Sequence, residues 1–320
     1  MIILAILALA ILALAGVAQA EPIAVRDAVL ELNPEAPQEM RLGRLDYLGG
    51  LIIASDDGRF GGYSGLAVDR DGRGLWALSD TGHWLHMEFA TDAAGLPQHV
   101  VATDYRPLRD AHGLPLKGKH DSDAESLRHA ADGSWLVAFE RWHRIWRYAS
   151  PGGPAIETVP LPASATDQPE NGGLEAIATL PDDGLLLLSE DKRVGPDQGA
   201  AWLRRGGQWL DRVWPVAGDF KPTDAVALPD GDVVVLERYY RPLVGPKARL
   251  RLLPAAQLAG TAPWQPVLLA EWAKPYSVDN MEALDVRKAA DGSRWLYIMS
   301  DDNQSSLQRT LLMVFRLRAE

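Results

Sequence analysis

The sequence contains no cysteine, which excludes a disulfide framework, a zinc–thiolate site, an iron–sulfur cluster and a cysteine nucleophile. Basic residues are also in deficit, because 32 Lys and Arg face 43 Asp and Glu and give a formal net charge of −11. A protein that follows a nucleic-acid backbone needs a basic surface, so the composition argues against that class. After residue 20 there is no apolar run long enough to span a bilayer.

Phenylalanine is scarce, with five residues, whereas the chain has eleven tryptophans, 29 glycines and 22 prolines. Frequent glycine and proline indicate many turns, which favours an all-β architecture. With 320 residues, of which 47% are hydrophobic and 23% charged, the chain is long and apolar enough to bury a large core.

The first twenty residues are uncharged and almost entirely apolar, and they end in the small-x-small sequence Ala18-Gln19-Ala20. This pattern predicts a signal peptide over residues 1–20, cleaved after Ala20. The mature protein is then expected to be periplasmic or secreted and not bound to the membrane. The usual basic residue at the start is missing, so an uncleaved membrane anchor is the alternative. Residues 21–320 are predicted to form a single domain.

Five segments share one pattern: an apolar strand, an Asp-Gly turn and a second apolar strand that ends in a carboxylate. Asp-Gly between two apolar runs is a strong hairpin signal, because both residues tolerate positive φ. The first strands begin at anchor residues spaced about 50 residues apart, as in propeller blades. The anchors are Ser64, Glu125, Glu175, Asp224 and Glu282.

Third and fourth strand candidates follow each hairpin, so the sequence predicts a β-propeller of four-stranded antiparallel blades. The fifth repeat ends before its fourth strand, and residues 40–54 are a plausible donor that would close the ring with an N-terminal strand. Five blades are predicted. A sixth, degenerate blade built from residues 21–62 is the alternative.

Antiparallel pairing brings the anchors and the ends of the second strands to one end of the central channel. All five second strands end in an acid: Asp80, Glu140, Glu190, Glu237 and Asp301. Crowded carboxylates require a bound metal, interleaved arginines or raised pKa values. A site with oxygen ligands favours Ca²⁺, with Mg²⁺ as the alternative, over zinc or copper. The predicted metal ligands are Glu125, Glu175, Glu282, Asp224, Asn171 and Asn280.

The motifs Gly61-Gly62-Tyr63-Ser64-Gly65, Asp123-Ala124-Glu125, Asn171-Gly172-Gly173-Leu174-Glu175, Leu236-Glu237-Arg238 and Asp279-Asn280-Met281-Glu282 occur in order along the chain. In these motifs the sequence resembles the phytase-like domain family, described as "esterase-like activity of phytase". The resemblance implies an exported bacterial β-propeller that hydrolyses phosphate or carboxylic esters. The family commonly has Arg where this chain has Thr81, and often Gly where it has Ser126 and Ala283. The missing Arg removes a candidate phosphate contact and weakens a phytase function in particular.

The favoured hypothesis is a calcium-dependent ester hydrolase, a monomer that acts on a small-molecule ester or anionic ligand. Asp123 or Asp301 is the candidate general base, and Arg141 and Arg238 are candidate catalytic cations. The candidate substrate-binding residues are His120, His143, Asp80 and Asn303. Two alternatives stay open. One is a serine hydrolase built on Ser64, and the other is a non-catalytic propeller that binds a ligand and holds calcium for stability.

Overall fold

The computed structural model describes residues 21–318. The predicted signal peptide, residues 1–20, lies outside the described residues. Residues 21–318 contain no helix long and apolar enough to cross a membrane.

The described chain forms a five-bladed β-propeller of antiparallel sheets. Blade 1 consists of β4 (Tyr63–Val68), β5 (Gly74–Ser79), β6 (His83–Thr91) and β7 (Pro97–Pro107). Blade 2 consists of β8 (Ala124–His129), β9 (Trp135–Phe139), β10 (Arg144–Tyr148) and β11 (Ala155–Thr158). Blade 3 consists of β12 (Leu174–Thr179), β13 (Leu185–Gly195), β14 (Gln198–Arg205) and β15 (Gln208–Pro215). Blade 4 consists of β16 (Lys221–Ala227), β17 (Val233–Arg241), β18 (Gly245–Leu253) and β19 (Val267–Ala273).

Blade 5 joins the two ends of the chain. Its first three strands are β20 (Asn280–Lys288), β21 (Arg294–Asp301) and β22 (Thr310–Leu317). The fourth is β3 (Leu45–Ala54), which pairs antiparallel with β22 along its length. β1 (Arg26–Val29) adds to the outer edge of β3, and β2 (Arg41–Leu42) pairs with its start. The predicted closure by an N-terminal strand is confirmed, and the six-bladed alternative is wrong because residues 45–54 complete blade 5.

The predicted Asp-Gly turns connect the first and second strands of every blade. Four of the glycines have a positive φ, from 74° to 89°: Gly72, Gly133, Gly231 and Gly292. In blade 3 the left-handed residue is Asp183 instead, with φ 56°, at the end of a short 3₁₀ turn over Pro181–Asp183. Positive φ is sterically open to glycine and tolerated by aspartate, so the same dipeptide serves both geometries.

Five apolar clusters fill the five blade interfaces. Tryptophans contribute to each of them, as the contacts between blades 1 and 2 illustrate. There the Trp84 and Trp135 rings meet edge to face with centroids 5.8 Å apart, and Trp76 packs against both. The hydrophobic core is therefore divided among the five interfaces between blades. The indole rings provide much of the apolar area that each interface buries.

Three short helices interrupt the strands: α1 (Lys119–Ser122), α2 (Ala163–Thr166) and α3 (Ala255–Ala259). α1 leads directly into the innermost strand of blade 2. Lys119, the first residue of α1, therefore lies at the mouth of the central channel.

Candidate functional site

The innermost strands β4, β8, β12, β16 and β20 lie next to one another around the axis and begin at the same end of the channel. Near the start of each, the pairing with the second strand skips one residue. A residue skipped in this way leaves the ladder, and its side chain points differently from its neighbours'. The skipped residues are Ser64, Glu125, Glu175, Thr223 and Glu282.

Asp224 does not occupy the position predicted for it. The skipped residue of β16 is Thr223, whose hydroxyl donates to the Met281 carbonyl oxygen at 3.0 Å. Asp224 is one residue further on and therefore points elsewhere, since a one-residue shift along a strand reverses the side chain. It is fully buried and does not line the mouth. Its prediction as a metal ligand with the other anchors is corrected accordingly.

Asp224 instead closes the channel with Arg128 of β8. The two side chains form a buried ion pair, and the Leu284 N–H donates to the Asp224 carboxylate at 2.7 Å. The Arg128 Nε donates to the carbonyl oxygens of Ile177 and Ala225, at 2.6 and 2.8 Å. One guanidinium thus satisfies groups from blades 3 and 4 at the axis, and the channel becomes a blind cup at the anchor end.

This cup is a cavity of about 890 Å³. Five basic side chains line it: Lys119, Arg141, Arg238, Lys274 and Arg309. Nine acidic side chains also line it: Asp80, Asp123, Glu125, Glu140, Glu175, Glu190, Asp279, Glu282 and Asp301. Ser64 and the amides Asn171, Asn280 and Asn303 complete the predicted residues found there.

Glu237 is the one second-strand acid that does not reach the cup. It is buried in blade 4, where it accepts hydrogen bonds from Arg249 Nε and Arg251 Nε, both at 2.6 Å, and from Trp214 Nε1 at 2.9 Å. β17 continues beyond Glu237 to Arg241 and keeps its pairing with β18. Glu237 is therefore a mid-strand residue, and its role is to hold blades 3 and 4 together.

Three carboxylates of the cup are placed to share a cation. Ligand oxygens of Asp123, Glu125 and Glu140 lie within 4.8 Å of one another. Glu140 also accepts a hydrogen bond from the Gly173 N–H at 3.1 Å. The residues fit a hard divalent cation, because all three supply oxygen ligands and Glu125 forms no salt bridge with a basic residue of the described chain.

Basic side chains bridge pairs of acids, and Asp123 of this cluster takes part in two of the bridges. Lys119 Nζ lies 2.7 Å from Asp80 and 2.5 Å from Asp123. Arg238 lies 2.7 Å from Glu190 and 2.9 Å from Glu282.

Arg141 makes a third such bridge, with Nε 2.7 Å from Asp123 and Nη1 3.0 Å from Glu170. Interleaved cations therefore meet part of the negative charge. The Asp80 Oδ1 atom is nevertheless buried without a hydrogen-bond partner in residues 21–318.

The remaining repulsion appears in the protonation of the acids. Burial, together with neighbouring carboxylates, raises the pKa of Glu125 and of Glu175 well above the ordinary value. Burial raises the pKa of Glu282 to about 8, although Arg238 opposes the shift. Burial also raises the pKa of Asp301 to about 7. The sequence predicts that crowded carboxylates require a bound metal, interleaved cations or raised pKa values. The cup is compatible with all three, and it contains both paired cations and acids with raised pKa values.

The two candidate histidines lie outside the cup. His120 is exposed on α1 and forms a hydrogen bond with Asp121 at 2.7 Å. His143 is buried in the connection between β9 and β10 of blade 2, and its Nε2 donates to the Pro169 carbonyl oxygen at 2.8 Å. Neither is among the residues that line the cavity, so the substrate-binding role predicted for them does not agree with their position.

Several residues of the cup were missed from the sequence. Lys119 carried one signal, because it stands four residues before Asp123 on a helical turn, the spacing of an ion pair. Lys274, Arg309, Tyr240 and Leu307 lie in loops and hairpin ends outside the repeat. Only the folded chain brings them to the cavity.

Solved structures of similar shape include virginiamycin B lyase from Staphylococcus aureus, with a TM-score of 0.41, 11% identity and coverage of 85% of this chain and 73% of the lyase. Another is a luciferin-regenerating enzyme, with a TM-score of 0.42, 10% identity and coverage of 82% and 98%. No curated protein is detectably similar to this chain in sequence. Residues 58–304 match the model of a protein family described as "Phytase-like: Esterase-like activity of phytase".

Proposed function

The chain belongs to the phytase-like family, and from that premise we propose that it is an exported, calcium-dependent hydrolase of phosphate or carboxylic esters. The observation that carries the proposal is the Asp123–Glu125–Glu140 cluster, with ligand oxygens within 4.8 Å of one another, on the wall of an 890 Å³ cavity. Export is proposed on residues 1–20 alone, and the protein is proposed to act as a monomer on a small molecule.

In this proposal Asp123, Glu125 and Glu140 hold the cation, and Glu175 stands beside them in the same cup. A bound calcium ion would supply the positive charge that polarises an ester oxygen. Glu175 shares the charge crowding, because Glu125 and Glu140 contribute to its raised pKa. A cation would relieve the repulsion that these acids experience without it.

Asp301 is the proposed general base. Burial brings its pKa to about 7, so near neutral pH it can both accept and release a proton, as a general base requires. The Asn303 backbone N–H donates to Asp301 Oδ1 at 2.8 Å and fixes the orientation of the carboxylate. Arg238 lies in the same cavity, but Glu190 and Glu282 already meet its charge, so we propose that it holds these two acids in place.

A second candidate function is a non-catalytic ligand-binding propeller. It is favoured by the contacts of the acids across blade boundaries: Lys119 links blades 1 and 2, and Arg238 links blades 3 and 5. In that case a bound calcium ion would neutralise the crowded acids without taking part in a reaction.

Turnover of phytate, a phosphomonoester, a phosphodiester and a short-chain carboxylic ester, each with calcium and with chelator, distinguishes the two functions. We expect calcium-dependent turnover, reduced by at least about 100-fold in Glu125→Gln with the fold intact by circular dichroism, because this variant lacks one of the three proposed ligands. The exposed Glu88→Gln is the matched control and should keep full activity. Absence of turnover on all four esters, with a lower melting temperature in chelator, would favour the binding propeller.

A further inference from the structure

The cup has two chemically different sides. The nine acids are concentrated at the anchors and second-strand ends, which surround the axis. The outer wall at blades 4 and 5 includes Tyr240, Pro246, Val278 and Leu307. Tyr240 and Pro246 are cross-strand partners near the tip of the β17–β18 hairpin, and Leu307 belongs to the loop between β21 and β22.

Two apolar side chains of this wall are open to solvent. Tyr240 is 62% exposed and Leu307 is 92% exposed, although both line the cavity. Val278, which lines the same cavity, is buried. An apolar group held against these three side chains would remove Tyr240 and Leu307 from water, which is the main favourable contribution to binding at such a wall.

The basic residues of the cup limit the charge of the ligand. Lys119, Arg141 and Arg238 each contact two carboxylates and have little charge left for an anion. Lys274 has no ion-pair partner in residues 21–318, and Arg309 has one distant partner, Asp279 at 3.8 Å. Both of these cations lie in the blade 4 and 5 half of the cup.

We infer that the substrate of this cavity is an ester with at most one negative charge and an apolar arm, and that Tyr240 and Leu307 bind the arm. Lys274 and Arg309 lie beside the arm and meet the single charge. A polyphosphorylated substrate fits poorly, because Lys274 and Arg309 are the two basic side chains, of the five that line the cavity, that are not already bridged between two carboxylates. The inference rests on the proposed function, since it names the substrate class of the same site.

Isothermal titration with acetate, butyrate, hexanoate and octanoate tests the arm directly, in calcium and in chelator. These monoanions are the acid products of such esters, so no turnover is needed. We expect octanoate to bind about tenfold more tightly than butyrate, because each added methylene is partly removed from water. Tyr240→Ser and Leu307→Ser should each lose most of this dependence on chain length.

Leu243→Ser is the matched control, because Leu243 is fully exposed at the same hairpin and does not line the cavity. It should bind every acid as the unaltered protein does. Equal affinity along the series, no octanoate binding at millimolar concentration, or an unchanged series in both serine variants would each overturn the inference. Chain-length dependence without any ester turnover would instead contradict the proposed function alone, and turnover of phytate without chain-length dependence would contradict the inference alone.

Discussion

At the scale of single residues, the cup is defined by carboxylates that are largely buried. Glu175 and Glu282 are buried, and both stand among other acids, so their charged forms are disfavoured. Arg238 compensates Glu282 at 2.9 Å, whereas Glu175 has no salt bridge to a basic residue of the described chain. The site is therefore under electrostatic strain that either protons or a cation can relieve.

The stability of the metal-free protein should fall as the pH rises. The pKa of Glu282 is raised from 4.5 to about 8 and that of Asp301 from 3.8 to about 7. The folded state therefore holds these protons more tightly than the unfolded state. The resulting stability is complete below the ordinary pKa values and is lost as the pH passes through 7 and 8. In chelator, the melting temperature should decrease between about pH 5 and about pH 9.

Glu282→Gln tests this residue directly, because glutamine resembles the protonated carboxyl. At about pH 9 in chelator we expect its melting temperature to exceed that of the unaltered protein by about 2–3 °C, from a gain of about 1–2 kcal/mol. Glu88→Gln, on the exposed face of β6, should change nothing. A melting temperature that is independent of pH in the unaltered protein would contradict the assigned protonation.

At the scale of the strand, the irregular pairing of the innermost strands decides which side chains enter the cup. In blades 2, 3 and 5 the skipped residue is a glutamate, whereas blade 4 has Thr223 and blade 1 has Ser64. The sequence repeat predicts where each innermost strand lies, but it does not predict which residue the pairing skips. For this reason the repeat predicts Asp224 among the ligands at the channel mouth, whereas its side chain is buried and paired with Arg128.

Arg128→Met should lower the free energy of unfolding by about 3–5 kcal/mol, because it leaves the buried Asp224 carboxyl without its partner. Urea denaturation measures the loss. The double variant Arg128→Met, Asp224→Leu removes both charges and should recover part of the stability. Arg70→Met, at an exposed turn of blade 1, is the control for a lost surface cation. Equal stability of the single variant and the control would show that the pair does not support the channel.

At the scale of the whole molecule, closure of the ring replaces the covalent links that a chain without cysteine cannot make. β3 pairs with β22 and contributes buried Leu51 and Ile53 to the interface with blade 1. Leu45, the first residue of the same strand, is buried at the interface with blade 4. One N-terminal strand therefore joins the last blade to both of its neighbours.

Deletion of residues 21–54 should abolish cooperative unfolding, because it exposes the edge of β22 and opens two of the five apolar clusters. Circular dichroism during heating measures the transition. A synthetic peptide of residues 45–54 should restore it in trans, and a scrambled peptide of the same composition should not. A cooperative transition in the truncated chain alone would show that the ring does not depend on β3.

The sequence by itself determined the propeller, its five blades, the turns and the donor strand, because these follow from alternating apolar residues, Asp-Gly pairs and a regular period. It also determined that Glu125, Glu175 and Glu282 share one end of the channel, since antiparallel strands bring their anchors together. Only the tertiary structure decided that four candidate residues lie outside the cup: Asp224, Glu237, His120 and His143. It alone brought Lys119, Tyr240, Leu307 and Arg309 into it. Those outcomes depend on a one-residue skip in pairing, on how far a strand continues and on where loops fold back, and none of these has a periodic signal.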